Sequence, residues 1–193
     1  MALTELETDR LIIRPYTYED EAARHQLMNE AFGEATPEET HSWMSWTVAN
    51  YRELAAMYQP PYGDYAVTLH TGDVIGSVGL VPTVVPWSVF DEKPTGDPYL
   101  VTPEFGLFWA VLPQYQGQGY ATEATLAFVT FLFTIMNYKR LVATTDHDNL
   151  ASQKVMEHIG MTLYKNPGPE PHWFQVIGVL DHPQAQIQAP FDS

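Results

Sequence analysis

Gln114, Gly117 and Gly119 stand in the stretch Phe108-Trp109-Ala110-Val111-Leu112-Pro113-Gln114-Tyr115-Gln116-Gly117-Gln118-Gly119-Tyr120-Ala121, where an apolar run passes through two glycines into a helical pattern. Glycines so placed let successive backbone N–H groups turn into one concavity without side-chain interference. At a helix N-terminus those groups lack internal partners and carry the positive end of the helix dipole. Such a place suits a phosphate or pyrophosphate held by amides. Taken alone, the same glycines are also what a tight strand-to-helix turn requires. A dinucleotide-binding fingerprint wants a third glycine where Thr122 stands and usually opens a domain, whereas this turn lies past the middle of the chain. No Gly-Lys-Ser/Thr follows, which excludes a Walker loop.

Other chemistry is poorly supported. Asp146-His147-Asp148 holds three potential metal ligands, but they are adjacent and no second ligand cluster is visible, so a loop and helix-capping role is expected and no metal. No Gly-x-Ser-x-Gly elbow is present, which leaves serine hydrolysis without a nucleophile. Cysteine is absent, removing disulfides and thiolate chemistry; this suits a reducing, cytoplasmic setting.

The elements that must position the turn read as follows. Leu11 to Pro15 is a strand; a helix with acids in its first turn runs to Phe32 and stops at Gly33; a second begins at Thr36-Pro37 and runs to Tyr58. Tyr65–Leu69 and Val74–Val81 flank Thr71-Gly72-Asp73 as a hairpin. Pro82 to Pro103 reads as a long loop insertion. Strand Glu104–Val111, helix Gly119–Asn137, strand Arg140–Thr145, helix Asn149–His158 and strands Met161–Tyr164 and Trp173–Leu180 follow, and residues 183–193 are expected to fray. This order predicts one α/β domain over residues 1–182, a mixed sheet flanked by helices. Strand alternation puts Glu104, Gly106 and Phe108 on one face. Trp46 is expected in the core.

The 193 residues hold 24 Asp+Glu against 9 Lys+Arg, a formal net charge of -15. Such a surface repels nucleic acid and anionic membranes, so neither is expected as a partner. With 45% hydrophobic residues the acidity belongs to the outside of a folded chain. Met1 to Arg10 lacks the apolar core of a signal peptide. The longest apolar stretch, Ala121 to Met136, is interrupted by polar residues and falls short of the ~20 residues a bilayer crossing needs.

Three segments carry a resemblance. Gln114-x-x-Gly117-x-Gly119 looks like the pyrophosphate loop of the GCN5-related N-acetyltransferase (GNAT) superfamily. Glu7 to Pro15 resembles the T-x-R-L-x-L-R opening of its ribosomal-protein-alanine acetyltransferase-like branch, and Asn149 to Met161 resembles its N-x-x-S-x-x-V-x-x-x-x-G-F segment. The segments stand in the family's order. The resemblance implies a mostly antiparallel mixed sheet of about seven strands with parallel strands splayed at the cofactor site. It also implies acetyl-CoA as co-substrate, no metal, and direct attack of an amine on the thioester.

Residue by residue, the resemblance implies that the backbone of Gln116, Gly117, Gln118, Gly119, Tyr120 and Ala121 holds the pyrophosphate. Trp109, Ala110 and Val111 are to pair with the pantetheine arm and offer an N–H to the oxyanion, with Asn149 bonding the same arm. Many relatives carry a proton-donating tyrosine seven residues after this asparagine, where this chain has Met156. Ser152 is the candidate donor, its alternative being a first-turn hydroxyl satisfying the helix. Glu104 is the candidate base, alongside a water relay or a solvated acid at a strand end, and Trp87 and Trp173 fall where the family forms the acceptor side of its cleft, as walls of that pocket. The acceptor is a protein or peptide N-terminus or a small-molecule amine, favoured as a cation by the acidic field; a CoA-binding module without transfer is the alternative, and monomer and homodimer stay open.

Overall fold

The computed structural model describes residues 3–33, 35–60, 62–90, 97, 100–171 and 174–185. The expectations for Trp173, most of the 91–99 stretch and residues 186–193 lie outside these. Among the described residues four α-helices and eight strands form: β1 (Leu6–Glu7), β2 (Leu11–Pro15), α1 (Glu21–Phe32), α2 (Pro37–Ala56), β3 (Gly63–Leu69), β4 (Val74–Val85), β5 (Thr102–Val111), α3 (Tyr120–Thr134), β6 (Arg140–Thr145), α4 (Leu150–His158), β7 (Thr162–Lys165) and β8 (Val176–Asp181). Hydrogen bonding orders the strands β1-β2-β3-β4-β5-β6-β8-β7. The expected seven become eight because Leu6–Glu7, too short to show a period, pairs antiparallel with Ile12–Ile13.

The chain divides into two compact units, residues 1–81 with 108–136, and residues 82–107 with 137–193. In the first, β2, β3 and β4 form an antiparallel ladder in which Leu11 faces Leu69 and Tyr65 faces Val78. The Thr36 side chain accepts from the Glu39 N–H while Glu39 reaches back to the Thr36 N–H, a capping box that starts α2 with Pro37 at its first position. Helix α2 buries the stripe Thr40, Met44 and Thr47, and Trp43 and Tyr51 pack beside it against Tyr16 and Ala66. Trp46 is not core: two positions beyond Met44 it lies on the opposite side of the helix and is 57% exposed. Helix α3 buries Ala124, Thr125, Phe128 and Leu132, with Phe128 5.4 Å from the Tyr65 ring. A fully buried side chain the size of Phe128 or Leu132 contributes about 1.5–3 kcal/mol.

In the second unit, β6 and β8 pair antiparallel along their whole length, Arg140 opposite Asp181 through Thr145 opposite Val176, and β7 covers the other edge of β8. Strand β5 joins β6 in parallel at Gly106↔Val142, the single pair of that register among the described residues. Val85, Val142, Phe174, Ile177 and Val179 form the interior. The expected loop 82–103 is shorter than predicted at both ends: β4 continues across Pro82 to Val85, and β5 begins at Thr102. Pro82 and Val84 are exposed, and proline is tolerated in a strand where its missing N–H is not needed. Among the described residues no helix is long and apolar enough to cross a membrane.

Candidate functional site

The glycine turn folds as its residues require. Gly117 and Gly119 both take left-handed backbone conformations, φ 72° and 83°, and Gly119 is the N-cap of α3. A β-carbon on Gly117 would meet open space, so the turn's outer side is clear. Among the described residues the N–H groups of Gly117, Gln118, Gly119, Tyr120 and Ala121 meet no protein acceptor. Amides without partners at the positive end of a helix of 15 residues are the donor set a pyrophosphate needs.

Internal bonds shape this turn. Gln116 Nε2 donates to the Val111 carbonyl at 2.9 Å and Gln118 Nε2 to the Gln114 carbonyl at 3.1 Å, so the glutamine side chains brace the loop from within. The end of β5 is set by β4: the Leu112 N–H donates to the Ile75 carbonyl at 2.9 Å. A β-carbon on Gly76 would collide with the carbonyl oxygen of Ala110, so β4 and β5 come this close only because position 76 is glycine. Ala110 and Val111 are buried and Trp109 is half-buried.

The two arginines of the opening motif are tied separately. Arg14 makes a two-point ion pair with Asp20, 2.7 and 2.8 Å. Burial is the largest influence on Asp20 and pushes its carboxyl up, but hydrogen bonds from Arg14 and Thr17 outweigh it and hold the carboxyl below its ordinary range. Arg10 bonds Glu123 through Nε at 2.6 Å and the Gln118 carbonyl through Nη1 at 3.0 Å. The cation at the glycine turn is therefore Arg10. Arg140, in the other unit, bonds Asp181 at 2.8 Å.

In the second unit, Glu104 is neither solvated nor isolated. Its side chain is 12% exposed, the Trp87 indole N–H donates to its Oε1 at 3.2 Å, and Arg140 Nη1 lies 3.9 Å away. Burial pushes the Glu104 carboxyl above its ordinary range, against the smaller opposing pull of Arg140 and Trp87. A carboxylate raised in this way is a better proton acceptor than a solvated one. Trp87 was expected as a pocket wall; its bond to Glu104 was not foreseen, because seventeen residues separate them.

Asn149 is the N-cap of α4, its side-chain oxygen accepting from the Ser152 N–H at 3.1 Å. The capping role expected of Asp146-His147-Asp148 thus belongs to Asn149, while the carbonyls of Asp146 and His147 accept from Gln153 Nε2. Met156 is fully buried, its sulfur over Gly178 of β8, so this position supplies packing and no proton. Among the described residues no group of three or more His, Cys, Asp or Glu side chains is arranged to hold a metal.

The family described as Acetyltransferase (GNAT) domain matches residues 10–162, and the chain belongs to that family, whose members are acetyl-CoA-dependent acetyltransferases. It is 28% identical over 160 residues to an uncharacterized N-acetyltransferase, YnaD, of Bacillus subtilis (strain 168), with 81% of each chain covered. Among solved structures it resembles an acetyltransferase from Agrobacterium tumefaciens str. C58, TM-score 0.67, 24% identity, covering 93% of this chain and 95% of that one. It also resembles the ribosomal-protein acetyltransferase RimL in complex with coenzyme A, TM-score 0.61, 16% identity, covering 91% and 95%. The ribosomal-protein branch is thus among its structural neighbours.

Proposed function

We propose that residues 1–182 act as one N-acetyltransferase domain that moves the acetyl group of acetyl-CoA directly to a primary amine, a protein or peptide N-terminus or a small-molecule amine. The observation that carries this reading is the set of unpartnered N–H groups from Gly117 to Ala121 at the start of α3. Acetyl-CoA, as substrate, supplies the acetyl group already activated as a thioester.

This chain's residues then bind, orient and move protons. The amides of Gly117 to Ala121 hold the pyrophosphate; Gln116, expected to share in this, has its N–H committed to the Pro113 carbonyl at 3.2 Å and braces the turn instead. Trp109, Ala110 and Val111 offer their strand edge to the pantetheine arm and a backbone N–H to the carbonyl oxygen as negative charge develops there. With its oxygen committed to the Ser152 N–H, Asn149 has its amide N–H groups to offer the same arm. Glu104 takes the proton that the attacking amine must shed. Ser152 is the donor to the departing thiolate, an assistance of small size because a thiol of ordinary pKa, about 8.5, leaves readily.

Isothermal titration with acetyl-CoA, followed by thiol release across a panel of amines, tests the reading. Binding at tens of micromolar or tighter and release dependent on the amine are expected. Gly117→Trp should abolish binding, since a ring at this position fills the open side of the turn and strains its left-handed backbone. Absence of binding by the wild type overturns the proposal, and tight binding without release for any amine leaves a CoA-binding module.

A further inference from the structure

We propose that Arg10 is a positioning residue for the cofactor's pyrophosphate: the turn between β1 and β2 exists to place its guanidinium across the mouth of the glycine turn, where it aims the Gly119 N–H and neutralises Glu123. This deepens the acetyl-CoA reading and rests on it.

Thr8, Asp9 and Arg10 form that turn, closed by the Thr8 N–H donating to the Leu11 carbonyl at 2.9 Å. From it three donors converge on one carboxylate in the first turn of α3. Thr8 Oγ1 donates to Glu123 Oε1 at 2.6 Å, the Arg10 N–H donates to the same oxygen at 3.1 Å, and Arg10 Nε donates to Oε2 at 2.6 Å. The remaining edge of the guanidinium turns to the glycine loop. Nη1 bonds the Gln118 carbonyl at 3.0 Å, and the guanidinium carbon lies 4.3 Å from the centre of the Tyr120 ring. Tyr120 is itself edge-on to Tyr115, 6.1 Å away, so the stack runs back to the start of the loop.

Two consequences follow from elementary chemistry. A trans peptide points its C=O and N–H to opposite sides. Holding the Gln118 carbonyl on the Arg10 side therefore turns the Gly119 N–H away from Arg10, and that N–H is one of those without a protein acceptor. The second consequence is electrostatic. A carboxylate in the first turn of α3 would compete with a bound diphosphate for the helix's positive end. Glu123 is instead saturated by Thr8 and Arg10; burial pushes its carboxyl up, but these hydrogen bonds together hold it below its ordinary range, in its charged form and paired. Lysine could supply the charge but not the fork that reaches Glu123 and Gln118 together.

The test compares wild type, Arg10→Ala and Arg10→Lys by titration with CoA, by thermal unfolding without ligand, and by kinetics with two donors, acetyl-CoA and S-acetylpantetheine, which lacks the pyrophosphate. Arg10 is 44% exposed at its side chain, so both variants are expected to fold. Loss of charge-assisted hydrogen bonds should weaken CoA about tenfold to hundredfold in Arg10→Ala, and at least about tenfold in Arg10→Lys. KM for acetyl-CoA should rise with kcat nearly unchanged, while kcat/KM for S-acetylpantetheine stays at the wild-type value. A merely structural role would depress both donors together, and that result overturns the proposal. So does CoA affinity within twofold of wild type in Arg10→Ala, or full recovery in Arg10→Lys. Failure of the wild type to bind CoA overturns the underlying reading as well, whereas wild-type binding with an indifferent Arg10→Ala overturns this inference alone.

Discussion

Glu104 sits under four influences that pull in different directions, and on its proposed role as base their balance fixes how activity should depend on pH. Burial raises its carboxyl, Arg140 and the Trp87 indole lower it by smaller amounts, and the Asp181 charge raises it least of all. As a base it works only when deprotonated, so amine acetylation should fall as pH drops through this raised value. Glu104→Gln should reduce kcat/KM for the amine about 10²- to 10⁴-fold and remove that acid limb. Trp87→Phe removes a hydrogen bond that favours the charged carboxylate, so its acid limb should move to higher pH, with the plateau largely kept. A pH–rate profile of the three proteins decides this; a Trp87→Phe limb that moves to lower pH, or not at all, excludes Glu104 as the titrating base. The residue types at this site were legible in the sequence, but their partners were not. Trp87 reaches Glu104, and Arg10 reaches Glu123, across separations that no local pattern encodes.

At the scale of elements, what the sequence announced were features carried within one element. The glycine turn and the helix start at Thr36-Pro37-Glu38-Glu39 each arise from contacts within a few residues, and each stands where its residues indicated. Features set by tertiary packing were hidden. Trp46 looked like core because its size suggests burial, yet the neighbours of α2 cover the Met44 side; Pro82 looked like a stop, yet β4 passes through it. Gly76 belongs with these hidden features, since nothing local distinguishes it from Gly79 and its reason is the Ala110 carbonyl facing it. Gly76→Ala should therefore force β4 and β5 apart, costing about 1–3 kcal/mol of stability as backbone and neighbours shift. It should also weaken CoA, because β5 leads directly into the loop. Chemical denaturation and CoA titration check both; an unchanged unfolding midpoint would mean that the strands are free to separate here.

At the scale of the whole molecule, the charge of -15 acts on the two substrates in opposite senses. Coenzyme A is a polyanion, and the long-range field of this surface opposes its approach; on the proposed reading it is held by short-range amide dipoles that Arg10 positions, which the field does not reverse. A cationic amine is drawn by the same field. Salt shortens the reach of exposed charges from about 30 Å at 0.01 M to about 8 Å at 0.15 M, so added salt should remove attraction for the amine and repulsion for CoA together. KM for a cationic acceptor is accordingly expected to rise with ionic strength, while KM for acetyl-CoA stays level or falls. A generic salt effect on the fold would move both in the same direction, so the divergence identifies the field as its cause. Steady-state kinetics in both substrates between low and physiological salt make the measurement, with a neutral-chain amine and a dibasic amine compared as acceptors. The dibasic amine should respond more steeply, because the energy of approach scales with its charge. Equal slopes for the two amines would remove substrate attraction from the role of this acidity.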